Sequence, residues 1–423
     1  MQITIIALGS RGDVQPFVPL GMGLQAAEHH VRVATFTAFA PLILNAGLKF
    51  FPPQGDAKAL LNAAMSAGLL KGRSNPLSFI RAIRKSYASL ADTLSIDLSD
   101  PVLYDSDLIL NQLPASLYGG DLAEFLGIPW SIVSVIPLSR SRYQPLIGFP
   151  KQLSFLPGYN ALTYRMGEQM AWGMFRQAVN SWRSDVLGLP AKPFLGDFGQ
   201  SYRQGVPVIN GFSSHVVSRP ADWGEQIHIT GWWHLDDPSW EPSEKLRHFI
   251  ENGDKPVFVG FGSIPVADAE QVTSIIVDAV RLVGTRAIIQ AGWAGLGKAL
   301  PEDFLVINYA PYGWLFPKMS AVVHHGGSGT SGFAFRSGVP SVVVPFGFDQ
   351  YYWGDRAAVL GVGPAPLPYK KLSARSLADR IQVAISDATM ATRAKELGAE
   401  LRSEDGVKRA VEIIESIGAY GPS

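Results

Sequence analysis

The feature that most constrains the fold of this chain is a repeated alternation of short apolar runs with helix-like stretches. The chain opens with the apolar run from Ile3 to Leu8, a glycine turn, a helical pattern through Leu20 and Leu24, and a second apolar run at 31–34. Such runs are typical of buried strands, and two strands joined by a helix form a parallel βαβ unit. Further strands are predicted at 108–110, 131–133 and 206–209. We therefore expect an open parallel sheet in the first half of the chain.

The same alternation begins again after residue 242 and predicts a second domain. Between 213 and 242 the chain is rich in proline, tryptophan, aspartate and serine, which suits a linker. Strands are then predicted at 257–261, 287–289, 321–324 and 341–345, with helices from 373 to 417. We predict an N-terminal domain at 1–215, a linker at 216–242 and a C-terminal domain at 243–423 that closes with helices.

Composition excludes several classes of function. The 36 basic and 36 acidic residues balance, so nucleic acid is not an expected partner. The chain has no cysteine, which excludes thiolate catalysis and thiolate-bound metals. Apolar residues make up 47% of the chain, yet no run approaches the about 20 apolar residues that cross a bilayer. We expect a cytoplasmic protein that is a monomer or a weak dimer.

A glycine-rich turn at 323–332, VHHGGSGTSG, is the strongest local signal for chemistry. It follows a predicted strand and precedes a helix that we expect from about Ser331. Glycines let the backbone approach an anion closely, and the N–H groups at a helix start donate to it. His325 can donate a ring N–H to a phosphate oxygen. The candidate phosphate ligands are His325, Gly327, Ser328, Gly329 and Thr330. The alternative is a tight turn with no ligand.

An acidic and an amide side chain, Asp349 and Gln350, follow the next predicted strand. A carboxylate accepts hydrogen bonds and an amide both donates and accepts, so this pair suits the hydroxyl groups of a sugar. The alternative for Asp349 is an N-cap of the following helix.

Two segments of the second half closely resemble the donor-binding signature of family-one glycosyltransferases, especially the sterol and lipid glucosyltransferase branch. That branch reads HHGGAGT, then AGVP, then a run like PFFGDQPFWG. Here residues 324–330 read HHGGSGT, residues 337–340 read SGVP and residues 345–354 read PFGFDQYYWG. The first loop, GSRGDVQPF at 9–17, also resembles that branch. The resemblance therefore spans nearly the whole chain.

The resemblance implies an α/β fold of the GT-B class, with two Rossmann-like, doubly wound parallel-sheet domains facing across a cleft. The first domain would bind the acceptor and the second a nucleotide sugar, with inversion at the anomeric carbon. Asp13 stands where relatives carry an acidic catalytic base, and the loop at 9–17 contains no histidine, the base of many plant relatives. Ser10, Arg11 and Gly12 would form the acceptor-side loop. We favour the catalytic role for Asp13 over its alternative, a cap of the first helix.

Other positions are matched less specifically. The resemblance implies a diphosphate contact at Ser263, stacking of the nucleotide base on Trp293 and main-chain contacts to the nucleotide base near Ala310. Trp293 can equally be a core or rim aromatic. The basic and apolar segment at 71–85 can contact an anionic membrane surface or form an ordinary amphipathic helix, and we prefer the helix.

The function we expect is transfer of glucose or a related hexose from UDP to a hydroxyl group of an apolar acceptor such as a sterol, terpenoid, polyketide or lipid. No metal and no other cofactor is expected, since His325 and the helix start can neutralise the diphosphate. Alternatives are a dTDP-sugar-dependent enzyme of natural-product synthesis, a GT-B nucleotide-sugar epimerase and a non-catalytic nucleotide-sugar-binding subunit. A dehydrogenase fits less well, because residues 9–12 do not supply G-x-G-x-x-G.

Overall fold

The computed structural model describes residues 1–52, 105–113, 116–196, 204–262, 268–291 and 300–419. The chain forms two compact units. The first unit comprises Met1–Ser214, Ser218–Trp233 and Asp405–Ser423, and the second comprises His215–Val217 and His234–Glu404.

A parallel sheet of seven described strands forms the centre of the first unit. The strands are β1 (Gln2–Ile6), β2 (His30–Ala34), β3 (Lys49–Phe51), β4 (Leu108–Gln112), β5 (Trp130–Ser134), β6 (Val208–Asn210) and β7 (Ile227–Ile229), in the order β3-β2-β1-β4-β5-β6-β7. In the central pairing Ile5 lies opposite Val33 on one side and Leu110 on the other, and all three are fully buried. Burial on both faces explains why these strands read as continuous apolar runs.

Helices follow the strands of the first unit. They are α1 (Arg11–Val14), α2 (Phe17–Ala26), α3 (Ala40–Leu44), α4 (Ser116–Leu126) and α5 (Tyr159–Asp185), with 3-10 turns at Thr37–Phe39 and Lys151–Leu153. The α2 helix buries Phe17, Leu20 and Leu24, which recur at the spacing of one helical face. This apolar face fixes the loop between β1 and α2 at the end of the sheet.

The second unit contains a smaller parallel sheet of five described strands. The strands are β8 (Val257–Gly260), β9 (Ala287–Gln290), β10 (Phe304–Ile307), β11 (Ala321–His324) and β12 (Ser341–Val343), in the order β10-β9-β8-β11-β12. The described helices are α6 (Glu244–Glu251), α7 (Ala269–Val283), α8 (Tyr312–Leu315), α9 (Ser328–Ser337), α10 (Asp349–Val359), α11 (Ala374–Ser386) and α12 (Ala388–Ser403), with 3-10 turns at Phe316–Lys318 and Tyr369–Lys371. The predicted fold class, two parallel-sheet domains of the α/β type, is confirmed.

The compact units do not follow the predicted domain limits residue by residue. The strand β7 lies inside the predicted linker at 216–242 and completes the first sheet. The final helix, α13 (Gly406–Ala419), belongs to the first unit because it packs on α2. Nε2 of His29, just after α2, lies within hydrogen-bond distance of Oε1 of Glu415 in α13, at 3.2 Å.

None of the helices in the described ranges has the length and apolar character needed to cross a membrane.

Candidate functional site

The predicted donor residues lie at the carboxyl ends of three neighbouring strands in the second unit. The strands β8, β11 and β12 are adjacent and parallel, so the loops that follow them meet at one edge of the sheet. These loops carry Gly262, His325 and the segment 346–350, respectively. Carboxyl ends of parallel strands are the usual ligand-binding edge of such a sheet.

Gly326 holds the glycine turn against the next loop. Its φ is 89°, in the left-handed region that favours glycine, and a β-carbon there would lie 2.6 Å from Cγ1 of Val343 and 2.8 Å from the carbonyl oxygen of Gln350. The absence of a side chain therefore brings the predicted phosphate turn into contact with the predicted sugar-binding pair.

The helix after this turn begins three residues earlier than predicted. The α9 helix starts at Ser328 rather than Ser331, with Gly327 as its N-cap. Ser328, Gly329 and Thr330 therefore form the first helical turn, where N–H groups lack partners inside the helix and the dipole favours an anion. A β-carbon on Gly329 would have no atom within 4 Å, so this turn is open for a ligand to approach.

The imidazole ring of His325 fills the space between two glycines. A β-carbon on Gly262 would lie 2.9 Å from Cε1 of His325, and one on Gly327 would collide with Nε2. Burial lowers the pKa of His325 to about 4, so the ring is neutral at pH 7. Its Nδ1 is buried and has no hydrogen-bond partner among the described residues. A neutral imidazole held this firmly can present one N–H to a phosphate oxygen.

His324, to which the sequence analysis gave no separate role, supports this turn. It is fully buried at the end of β11, and its Nδ1 accepts a hydrogen bond from the backbone N–H of Gly326 at 3.1 Å. Burial lowers the pKa of His324 to about 3, with a smaller contribution from His325. The pair of adjacent histidines in the motif could have indicated this second role, because successive residues at the end of a strand face opposite sides of the sheet.

The two predicted sugar ligands open the α10 helix and are held by their own neighbours. Oδ2 of Asp349 accepts a hydrogen bond from Nε1 of Trp353 at 3.2 Å. Oε1 of Gln350 accepts from the backbone N–H groups of Phe346 and Gly347, at 2.8 and 3.3 Å. Because the oxygen of Gln350 is used in this way, its amide nitrogen is the part suited to donate to a ligand.

Ala310 is the described residue of the two that are predicted to contact the nucleotide base. Ser263 and Trp293, like the segment 71–85, lie outside the described residues. Ala310 follows β10 and is buried in an apolar cluster with Phe258 and Leu315, so its side chain is core.

The predicted catalytic base, Asp13, belongs to the first unit and lies in α1, the short helix after β1. Its Oδ2 accepts hydrogen bonds from the backbone N–H and the hydroxyl of Ser10, at 2.7 and 2.8 Å. Burial raises the pKa of Asp13, while the two Ser10 hydrogen bonds act in the opposite direction. Arg11 and Gly12 of the same helix are exposed, and Nε of Arg11 donates to Oε1 of Gln15 at 2.9 Å. Asp13 thus combines the capping contact with the environment of a more basic carboxylate.

In the described ranges no three histidine or acidic side chains are grouped so that they could hold a metal ion.

Two family models match the chain. Residues 3–107 match the glycosyltransferase family 28 N-terminal domain, and residues 272–417 match the C-terminal domain of the erythromycin biosynthesis protein CIII-like family.

Relatives with similar sequences are sterol 3-beta-glucosyltransferases. Two of them, both from Arabidopsis thaliana, are 36% and 34% identical over 97% of this chain. A third, from Emericella nidulans, is 36% identical over 98% of this chain. The chain spans 65% and 67% of the length of the plant proteins and 30% of the fungal one.

Solved structures share the fold. The calicheamicin glycosyltransferase CalG4 superposes with a TM-score of 0.70 at 18% identity, with 98% of each chain covered. The glycosyltransferase SnogD from Streptomyces nogalater gives 0.66 at 20% identity, with 99% of each chain covered. The second Arabidopsis protein is 34% identical to this chain, which covers 67% of its length. This chain therefore belongs to the glycosyltransferase family that contains the sterol 3-beta-glucosyltransferases.

Proposed function

We propose that this protein transfers a hexose, with inversion, from a UDP-sugar to the hydroxyl group of a sterol-like acceptor. The observation that carries the proposal is the contact between the glycine turn and the start of α10. The carbonyl oxygen of Gln350 lies 2.8 Å from where a β-carbon of Gly326 would be. A predicted phosphate-binding turn beside an acid and amide pair is an arrangement that suits a sugar diphosphate.

The donor would bind in the second unit. The first-turn N–H groups of α9 and the ring N–H of His325 would meet the diphosphate, and Asp349 and Gln350 would meet the sugar hydroxyls. The contacts to the nucleotide base would come from Trp293 and Ala310, which follow β9 and β10 in the sequence. In this proposal the dipole and N–H groups at the start of α9, together with an N–H donated by the neutral ring of His325, stabilise the diphosphate charge, and no metal ion is needed.

Asp13 would act as the general base of a single displacement. The acceptor hydroxyl would give its proton to the carboxylate as its oxygen bonds to the anomeric carbon. The bond from that carbon to the diphosphate oxygen would break on the opposite face, and UDP would leave with the electron pair. Burial supports this role, because a raised pKa makes Asp13 a better proton acceptor than an exposed carboxylate.

The acceptor class comes from the relatives. Proteins named as sterol 3-beta-glucosyltransferases are 33–36% identical to this chain over 97–98% of its length.

Calorimetric titration tests the donor half of the proposal. UDP, UDP-glucose, dTDP and NAD would be added to the purified protein, first without metal and then with magnesium. We expect metal-free binding of UDP and UDP-glucose and none of NAD. Absence of nucleotide binding would contradict the proposal.

A product assay tests the acceptor half. The protein would be given UDP-glucose with a 3-hydroxysterol and, as the control, the same sterol with its hydroxyl methylated. Mass spectrometry should show a hexose added to the free sterol and none on the blocked one. If hexose were added to other alcohols and not to the sterol, the sterol would be contradicted as the acceptor.

A dTDP-sugar donor is the second candidate, since one structural neighbour, SsfS6, was crystallised with thymidine diphosphate. Tighter binding of dTDP than of UDP in the same titration would favour it.

A further inference from the structure

Phe348 has a backbone conformation that is unusual for a residue with a side chain. Its φ and ψ are 48° and −127°, and it immediately precedes α10. Only Glu28 among the other described non-glycine residues also has a positive φ. This region suits glycine, and a residue with a β-carbon there costs about 1–3 kcal/mol. The related run PFFGDQPFWG has glycine at this point, whereas this chain reads PFGFDQYYWG.

The side chain of Phe348 gains little from packing against the protein. It is 65% exposed, whereas the aromatic neighbours Phe346, Tyr352 and Trp353 are buried. Phe346 instead packs in the core, with its ring stacked on Tyr369 at 4.2 Å and edge-on to Phe261 at 5.3 Å. A single exposed phenyl ring is ordinary. Packing does not explain an exposed ring at a strained position, because a ring that is mostly exposed makes few contacts that could offset the cost of the backbone strain.

Position identifies what the ring can touch. Phe348 directly precedes Asp349, and Gln350 is held by the turn at 346–347. This loop follows β12, the edge strand beside β11, whereas Ala310, which is predicted near the nucleotide base, follows β10 at the opposite edge of the sheet. A ring here is closest to the part of the donor that Asp349 and Gln350 would bind.

We propose that Phe348 is a specificity-determining residue whose ring packs on the C–H face of the donor hexose. The face of an aromatic ring is electronegative and attracts the polarised C–H groups of a sugar, while Asp349 and Gln350 take its hydroxyls. This inference rests on the proposed function, because it names a further contact of the same donor.

The test compares UDP with UDP-glucose, since UDP lacks the hexose. Calorimetric affinities would be measured for the wild type, Phe348→Gly, Phe348→Leu and Phe348→Tyr. We expect Phe348→Gly and Phe348→Leu to bind UDP-glucose roughly three- to tenfold more weakly with UDP affinity unchanged, which is the usual size of an aromatic contact. Phe348→Tyr keeps the ring and should match the wild type. Phe155→Leu, which removes a 76% exposed ring from the first unit, is the control and should change neither affinity.

Thermal unfolding separates this role from a structural one. Phe348→Gly relieves the strained backbone and should unfold at the same temperature as the wild type or higher, even as UDP-glucose binding weakens. Equal losses of UDP and UDP-glucose affinity, or unchanged UDP-glucose affinity in both the glycine and leucine variants, would overturn the inference. If the wild type bound neither ligand, the proposed function would fail with it, which is a distinct result.

Discussion

The carboxylate of Asp13 occupies the space that a side chain on Gly9 would need. Gly9 has a φ of 133°, and a β-carbon there would lie 2.5 Å from Oδ2 and 2.8 Å from Cγ of Asp13. The same Oδ2 accepts both hydrogen bonds from Ser10. The loop after β1 can therefore close over the carboxylate only because position 9 has no side chain.

Gly9→Ala should displace Asp13 and lower turnover by as much as about 100-fold, because small errors in the position of a reacting group are costly. The affinity for UDP should not change, since the donor residues belong to the second unit. Steady-state kinetics and titration with UDP measure the two effects. Gly173→Ala is the matched control, because a β-carbon at Gly173 in α5 meets no atom within 4 Å. Equal turnover of both variants would argue against a fixed carboxylate.

Asp13→Asn removes the proton acceptor and keeps the size of the side chain. Turnover should fall by about 10²- to 10⁴-fold while UDP binding stays the same. The wild-type rate should rise with pH through a pKa above the ordinary 3.8, because burial raises the pKa of Asp13 and the base acts when deprotonated. A pH profile of kcat/KM tests this rise, which the variant should lack.

The same variant should be at least as stable as the wild type at neutral pH. A raised pKa means that the folded protein holds the proton of Asp13 more tightly than the unfolded chain does. The free energy of unfolding therefore falls as the pH rises from 3.8 to the raised pKa of the folded state, and it stays lower above that pKa. Asparagine carries no such charge. Urea unfolding at pH 7 measures the difference, and a clear loss of stability in Asp13→Asn would indicate a mainly structural carboxylate.

Gln350 is predicted to have two separable roles. Gln350→Glu keeps the oxygen that accepts from Phe346 and Gly347 but loses the amide donor, whereas Gln350→Ala loses both. Both variants should lower the ratio of UDP-glucose affinity to UDP affinity. Only Gln350→Ala should also lose about 1–3 kcal/mol of stability, because two backbone N–H groups lose their acceptor. Titration and thermal unfolding measure these effects, and an unchanged affinity ratio in both variants would remove Gln350 from the sugar site.

The central strands and the edge strand β12 could be predicted from the sequence, and the other three edge strands could not. Runs such as 321–324 are buried on both faces, so their composition alone indicates a strand. The three strands that the sequence analysis missed, β3, β7 and β10, all lie at sheet edges. Two of them have three residues each, too few to show a period, and their pairing depends on the neighbouring strand.

The site could be predicted as residue types but not as contacts. The glycines and His325 were recognisable in the motif, since a phosphate turn needs them in sequence order. The contact of Gly326 with Gln350 joins residues on two different loops, and no local pattern contains it. The start of α9 at Ser328 could not be predicted either, because glycine and serine at these positions favour a turn by themselves. The position of the turn at the sheet edge determines where the helix begins.

The two histidines of the turn should make the protein less stable as the pH falls. Burial lowers the pKa of His325 to about 4 and that of His324 to about 3, while the unfolded chain takes up these protons near 6.5. Between about pH 6.5 and 4 the unfolded state therefore binds more protons, and the free energy of unfolding falls by at most about 1.4 kcal/mol per pH unit for each ring.

His325→Gln removes one of these rings and keeps a side chain that can donate a hydrogen bond. Its unfolding free energy should depend on pH less steeply than that of the wild type, because up to one proton fewer is taken up on unfolding. From pH 7 to 4.5 the unfolding free energy of the variant should therefore rise steadily relative to that of the wild type. Urea unfolding at four or five pH values in this range measures the slopes. Parallel slopes would mean that His325 titrates alike in the folded and unfolded states, and that its ring is not held in a buried, neutral form.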